Sequence, residues 1–194
     1  PTIEYGATLT IENTSEINSP FTNNGIIEIA EGTSGTITNV GFWGNFTNSS
    51  TGKVKQNNYT KIWISGSCKT VDDYGTWTFG TDADISFNMF PDDSSFNVKS
   101  EAAATNNKYN LYIPVNAEHN VTFKGFDSDN PMKISKWTDT GVTSESLSFD
   151  FQNVDFLDNE TGFTFNSNIT ASSGNLTFSD DATFVKKTTF ATSD

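Results

Sequence analysis

The chain has 194 residues and a formal net charge of -13, set by 24 Asp and Glu against 11 basic residues, every one of them Lys. Without a guanidinium it has little means of gripping phosphate bidentately, so nucleic acid is excluded as a partner, and insertion into anionic membrane surfaces is disfavoured on the same ground. Hydrophobic residues are only 34% of the chain, yet 17 Phe raise the aromatic share to 13%, which excludes disorder and points to a slim core filled by a few large side chains.

In chain order, "ATLTIEN" at residues 7–13 alternates Leu9 and Ile11 with polar neighbours, the pattern of a half-buried strand. "FTNNGIIEI" at 21–29 and "FTNSSTGKV" at 46–54 repeat one phrase: Phe-Thr-Asn, a polar turn to Gly, then alternation. "GTITNV" (35–40), "TKIWISGS" (60–67) and "GTWTFGTDADISFNMF" (75–90) carry the same period, with Trp63 and Trp77 reading as core because they alternate among Ile and Phe. Residues 89–132 hold the Ala run of "EAAATNN" and three of the five prolines, and read as a loop-rich excursion where binding would reside. Alternation returns in "HNVTFKGF" (119–126), "ESLSFDFQNVDF" (145–156), "GFTFNSNI" (162–169) and "NLTFSDDATFV" (175–185).

The class is all-β. A sandwich or jelly roll predicts varied strands and hairpin turns, whereas a solenoid predicts like phrases at a near-constant period. Phe21 and Phe46 stand 25 residues apart, which favours a right-handed parallel β-helix with an irregular middle over a β-sandwich. One domain over residues 1–194 is expected, with about 8 to 10 coils of roughly 20 to 25 residues and Phe21 stacked inside on Phe46.

Residues 20–56, "PFTNNGIIEIAEGTSGTITNVGFWGNFTNSSTGKVKQ", resemble the parallel β-helix segments of large microbial surface adhesins of the filamentous-haemagglutinin and autotransporter-passenger type. The likeness rests on the Asn-Asn-Gly-Ile-x-x-Ile phrase, outward Thr and Asn, and scarce Cys and Arg. It extends over residues 6–88, and more loosely over 140–190. It implies a non-enzymatic, extracellular rod at a microbial surface that attaches to a host or matrix glycan or protein, or that serves as a stalk. "PTIEYGATLT" lacks the regions of a signal peptide, so the chain reads as part of a larger protein with further domains. The alternatives are a secreted carbohydrate-binding β-sandwich and a polysaccharide lyase or hydrolase on a β-helix. The last would need an Arg, an Asn-Thr-Asp or a Gly-His-Gly, none of which this chain contains.

Carboxylates cluster at Asp72–Asp73, Asp82–Asp84, Asp92–Asp93, Asp127–Asp129 and Asp180–Asp181. Acidic composition and the turn preference of Asp account for such pairs; calcium is the one cofactor they suggest, with Asp127 and Asp129 of "DSDN" as the best ligands, though EF-hand spacing is missing. His119 stands alone beside Glu118, too little for a zinc site, and Cys68, the only cysteine, reads as a small buried residue. Sugar rings stack on aromatic faces while Asp and Asn take their hydroxyls, so Trp43, Tyr109, Tyr112 and Trp137 are the candidate ligand-binding residues.

Overall fold

The computed structural model describes residues 1–64, 68–87, 96–100 (backbone path only), 106–113, 121–140, 148–157, 161–186 and 188–190. The first coil is β1 (Thr2–Ile3), β2 (Thr8–Ile11) and β3 (Ser15–Ile17). The second is β4 (Phe21–Asn23), β5 (Ile26–Ile29) and β6 (Thr38–Phe42), and the third β7 (Phe46–Asn48), β8 (Lys53–Gln56) and β9 (Thr60–Ile64). Next come β10 (Thr70–Asp73), β11 (Thr76–Phe79) and β12 (Asp84–Phe87). Two coils follow that show two strands each among the described residues, β13 (Phe96–Ser100) with β14 (Lys108–Ile113), and β15 (Val121–Lys124) with β16 (Met132–Asp139). The last are β17 (Ser148–Gln152), β18 (Val154–Phe156), β19 (Phe163–Phe165), then β20 (Asn168–Ala171), β21 (Leu176–Phe178), β22 (Ala182–Phe184) and β23 (Thr188–Phe190).

Each strand pairs in parallel with its counterpart one coil away, which makes the protein a parallel β-solenoid. The first face is the nine-stranded sheet β1-β4-β7-β10-β13-β15-β17-β20-β23, the second begins with β2-β5-β8-β11 and the third with β3-β6-β9-β12. Along the first face, coil length varies from 19 residues, between Ile169 and Thr188, to 28, between Phe123 and Phe151. No helix occurs among the described residues. Through the middle of the chain β13, β14 and β15 keep the ladder running, and residues 88–95, 101–105 and 114–120 of the expected excursion lie outside the described residues.

β14 and β16 are long because they run through a corner. Their second halves continue the third face, with Leu111 beside Ile85 and Trp137. Their first halves continue the second: Trp77 N–H donates to Asn107 Oδ1, and Met132 to Ile134 pair with β18. The corner is a β-bulge that inserts Ser135 opposite the Tyr109–Asn110 step.

Strand alternation sends one residue set inward, and parallel register stacks like on like. Val40, Ile62, Ile85, Leu111 and Trp137 form one interior column. Phe21 lies on Phe46 with ring centroids 5.9 Å apart and planes within 14°. Toward the C-terminus the columns become aromatic: Phe156 on Phe178 and Phe165 on Phe184, each pair at 5.1 Å. Large rings fill a thin cross-section that few residues per coil can reach.

In the Phe-Thr-Asn phrase, Phe and Asn point inward and Thr outward. Asn23 Nδ2 donates to Asn48 Oδ1 at 2.9 Å, and Asn48 Nδ2 to Asp73 Oδ1 at 2.8 Å, each step 25 residues along the chain. The same amides donate to the carbonyls of Lys53 and Thr76, so the ladder satisfies the corner backbone of successive coils. The turn after Asp73 closes on Gly75. A Cβ at Gly75 would press into the carbonyl oxygens of Gly52 and Ser49 in the coil beneath. Gly75→Ala is therefore expected to cost about 1–3 kcal/mol as an overpacking change, read as a lowered thermal midpoint; an unchanged midpoint would show that the coils separate freely here.

Candidate functional site

On the third face, β9 reads Thr60-Lys61-Ile62-Trp63-Ile64, and alternation that buries Ile62 and Ile64 turns Lys61 and Trp63 outward. Parallel register extends each into a row across the coils. One outward row is Gly41, Trp63, Ser86, Tyr112 and Thr138. The row beside it holds Asn39, Lys61 and Asp84, and is continued by Asn110 and Lys136. Trp63 is 40% exposed, and Tyr112 lies two coils further on, roughly 10 Å away at the strand spacing. The Trp43 indole, just past β6, lies against Gly41, which has no side chain to displace it. Three aromatic residues thus share one outer surface.

A cleft of about 350 Å³ opens beside this row, lined by Tyr59, Lys61, Asp82, Asp84, Tyr112 and Lys136 among others. Tyr59 and Asp82 occupy the corners ahead of β9 and β12 with φ of 54° and 53°, and the Tyr59 N–H donates to the Thr81 carbonyl. Lys61 Nζ lies 4.1 Å over the Tyr112 ring and 3.7 Å from Asp84 Oδ2, while Lys136 Nζ is 3.9 Å from Asp82 Oδ1. Burial pushes the Asp84 pKa up, and the nearby Lys61 and Lys136 ammonium groups oppose that shift. Aromatic faces, buried acceptors and ammonium donors on one flat surface can stack on a ring and hydrogen-bond its substituents.

Of the four aromatic candidates, Trp43 and Tyr112 meet on this face and the other two do not. Tyr109 is 1% exposed because it shares the inward parity of Leu111 and Ile113, and its hydroxyl donates to Asp73 Oδ2 at 2.5 Å. Trp137 is 6% exposed, packed edge-on against Phe123, Phe149 and Phe156. Both are core residues. Trp63, expected in the core, is instead the most exposed Trp of this surface, whereas Trp77 is buried as expected.

Asp127 Oδ1 accepts the N–H groups of Asp129 and Asn130 and the Asn130 amide, all within 3.0 Å. That oxygen closes its own turn, which is reason enough for Asp here, and the described residues contain no group of three or more metal-ligating side chains. His119 lies outside the described residues. Cys68 is buried, and burial pushes its thiol up to about 12. The Asp72–Asp73 pair divides: Asp72 is half-buried, while Asp73 is wholly inside.

The fold defines the class, a parallel β-solenoid with an aromatic and polar outer face. No protein-family model matches the chain, and neither a curated protein nor a solved structure is significantly similar to it.

Proposed function

We propose that this chain is a non-enzymatic segment of a microbial surface protein, extracellular and adhesive, which holds glycan chains on its third face. The observation that carries the reading is the outward row in which Trp63, 40% exposed, precedes Tyr112, with Trp43 alongside. Aromatic rings at coil intervals on a flat parallel sheet suit an extended ligand that runs along the rod axis. The net charge of -13 with no Arg favours neutral partners over polyanions.

The test is binding of the 194-residue chain to a printed glycan array, followed by calorimetric titration of the strongest hit. Trp63→Ala is expected to weaken binding about 10- to 100-fold at an unchanged melting temperature, the loss typical of an exposed aromatic anchor. Attachment to matrix proteins with no glycan bound, or full affinity without the Trp63 indole, would overturn the glycan reading.

A further inference from the structure

We propose that the cleft beside Tyr112 is a subsite for a single neutral, polyhydroxylated ring, such as one hexose unit, whose hydroxyls donate to Asp84. The inference rests on the glycan reading above and specifies where and how one sugar is held.

Three observations converge. Asp84 is 6% exposed, and its Oδ1 is buried without a hydrogen-bond partner although Oδ2 faces Lys61. Asn39 stands on the other side of Lys61 in the same row; its amide nitrogen donates to the Ile37 carbonyl, and its Oδ1 is likewise buried and without a partner. Buried acceptors without donors are rare in folded proteins; two of them flank one lysine, and that of Asp84, in the wall of a ligand-sized cleft, calls for a donor from outside. A volume of about 350 Å³ lies at the small end of ligand pockets.

The charges decide the ligand class. Lys61 and Lys136 face Asp82 and Asp84 across the cleft, so its charged groups cancel in sign and number. An acidic sugar would meet the two carboxylates and an amine the two ammonium groups, whereas neutral hydroxyls both donate to the carboxylates and accept from the lysines. The Lys61 ammonium now covers the Tyr112 ring at 4.1 Å. A sugar ring takes its place on Tyr112, and Lys61, turned aside, uncovers Asp84 and donates to a ligand oxygen.

The same array, carrying neutral, acidic and amino oligosaccharides, tests the ligand class. Neutral glycans are expected to dominate. Calorimetric titration of the strongest neutral hit then compares wild type with Asp84→Asn, Lys61→Met and Trp63→Ala. Asp84→Asn replaces an acceptor by an amide and is expected to weaken binding about 10- to 100-fold, the worth of a hydrogen bond to a charged group. Lys61→Met, which keeps the stem and removes the ammonium, is expected to weaken it several-fold and stands in if Asp84→Asn does not fold. Preference for charged glycans, or wild-type affinity in both cleft variants while Trp63→Ala abolishes binding, overturns the subsite and leaves the adhesive face standing. Absence of any glycan binding overturns both.

Discussion

Asp73→Ala is expected to remove about 4 kcal/mol or more of stability, enough to unfold the chain at moderate urea. Asp73 is completely buried at the point where the asparagine ladder ends. Its Oδ1 accepts Asn48 Nδ2 at 2.8 Å and the Gly75 N–H at 3.1 Å. Its Oδ2 accepts Asn107 Nδ2 at 2.8 Å and the Tyr109 hydroxyl at 2.5 Å. Alanine orphans four donors at once, and each buried donor left unpaired costs about 1–3 kcal/mol. The groups come from three coils, so the loss would also uncouple the N-terminal part of the stack from the middle. Asp73→Asn is the informative contrast: its amide oxygen keeps the Oδ1 partners and Tyr109 can rotate to accept, leaving only Asn107 facing a donor. That variant should lie within about 1 kcal/mol of wild type at neutral pH. Urea midpoints measure both, and equal losses would show that volume rather than hydrogen bonding holds the ladder end.

The same residue gives the stability a pH slope of known sign. Burial pushes the Asp73 pKa above its ordinary value, and the hydrogen bonds from Tyr109, Asn48, Gly75 and Asn107 oppose the shift. A carboxyl that binds its proton more tightly folded than unfolded stabilises most when protonated. Its contribution falls as pH rises from about 4, the unfolded value, to the folded pKa, and is constant beyond. In the protonated state the proton belongs on Oδ2 with the Tyr109 hydroxyl turned to accept it, because both partners of Oδ1 are N–H donors that cannot reverse. The difference in unfolding free energy between wild type and Asp73→Asn should therefore shrink or change sign across that window; a flat difference would place the Asp73 pKa at its ordinary value.

Period and parity carried most of the fold into the sequence, and the misplacements each have a local cause. The 25-residue return of Phe-Thr-Asn is the register itself, since Phe21, Thr22 and Asn23 pair with Phe46, Thr47 and Asn48. Trp63 was legible too: in Ile62-Trp63-Ile64 strict alternation already sets Trp opposite its neighbours, and only its apolar character argues for the core. Tyr109 shares parity with Leu111, which marks it as inward. Trp137 was not legible. From Ile134 it is three positions on, an outward parity, and only the bulge at Ser135 turns it inside, a pairing irregularity that depends on the neighbouring coil. The Asp84 cleft needed register as well, because Lys61, Asp84 and Tyr112 are more than 20 residues apart from one another and meet only through stacking.

The bulge leaves a testable mark in the core. Trp137→Ala is expected to cost about 3–5 kcal/mol, because the indole it removes packs against Phe123, Phe149, Phe151, Phe156 and Phe165, with centroids from 5.0 to 6.2 Å. Trp137→Phe should cost far less than its lost volume implies. The Trp137 Nε1 is buried without a hydrogen-bond partner, so phenylalanine deletes an unpaired donor along with apolar surface, and the two effects offset each other. Trp77 provides the control. Its Nε1 donates to Gln56 Oε1 at 2.9 Å inside the same core, and Trp77→Phe strands that oxygen where no water reaches it. Chemical denaturation should therefore rank Trp77→Phe as more damaging than Trp137→Phe by about 1–2 kcal/mol, although both remove the same atoms. The reverse order would mean that the indole at Trp137 is held by its nitrogen, and that the bulge exists to place that group rather than the ring.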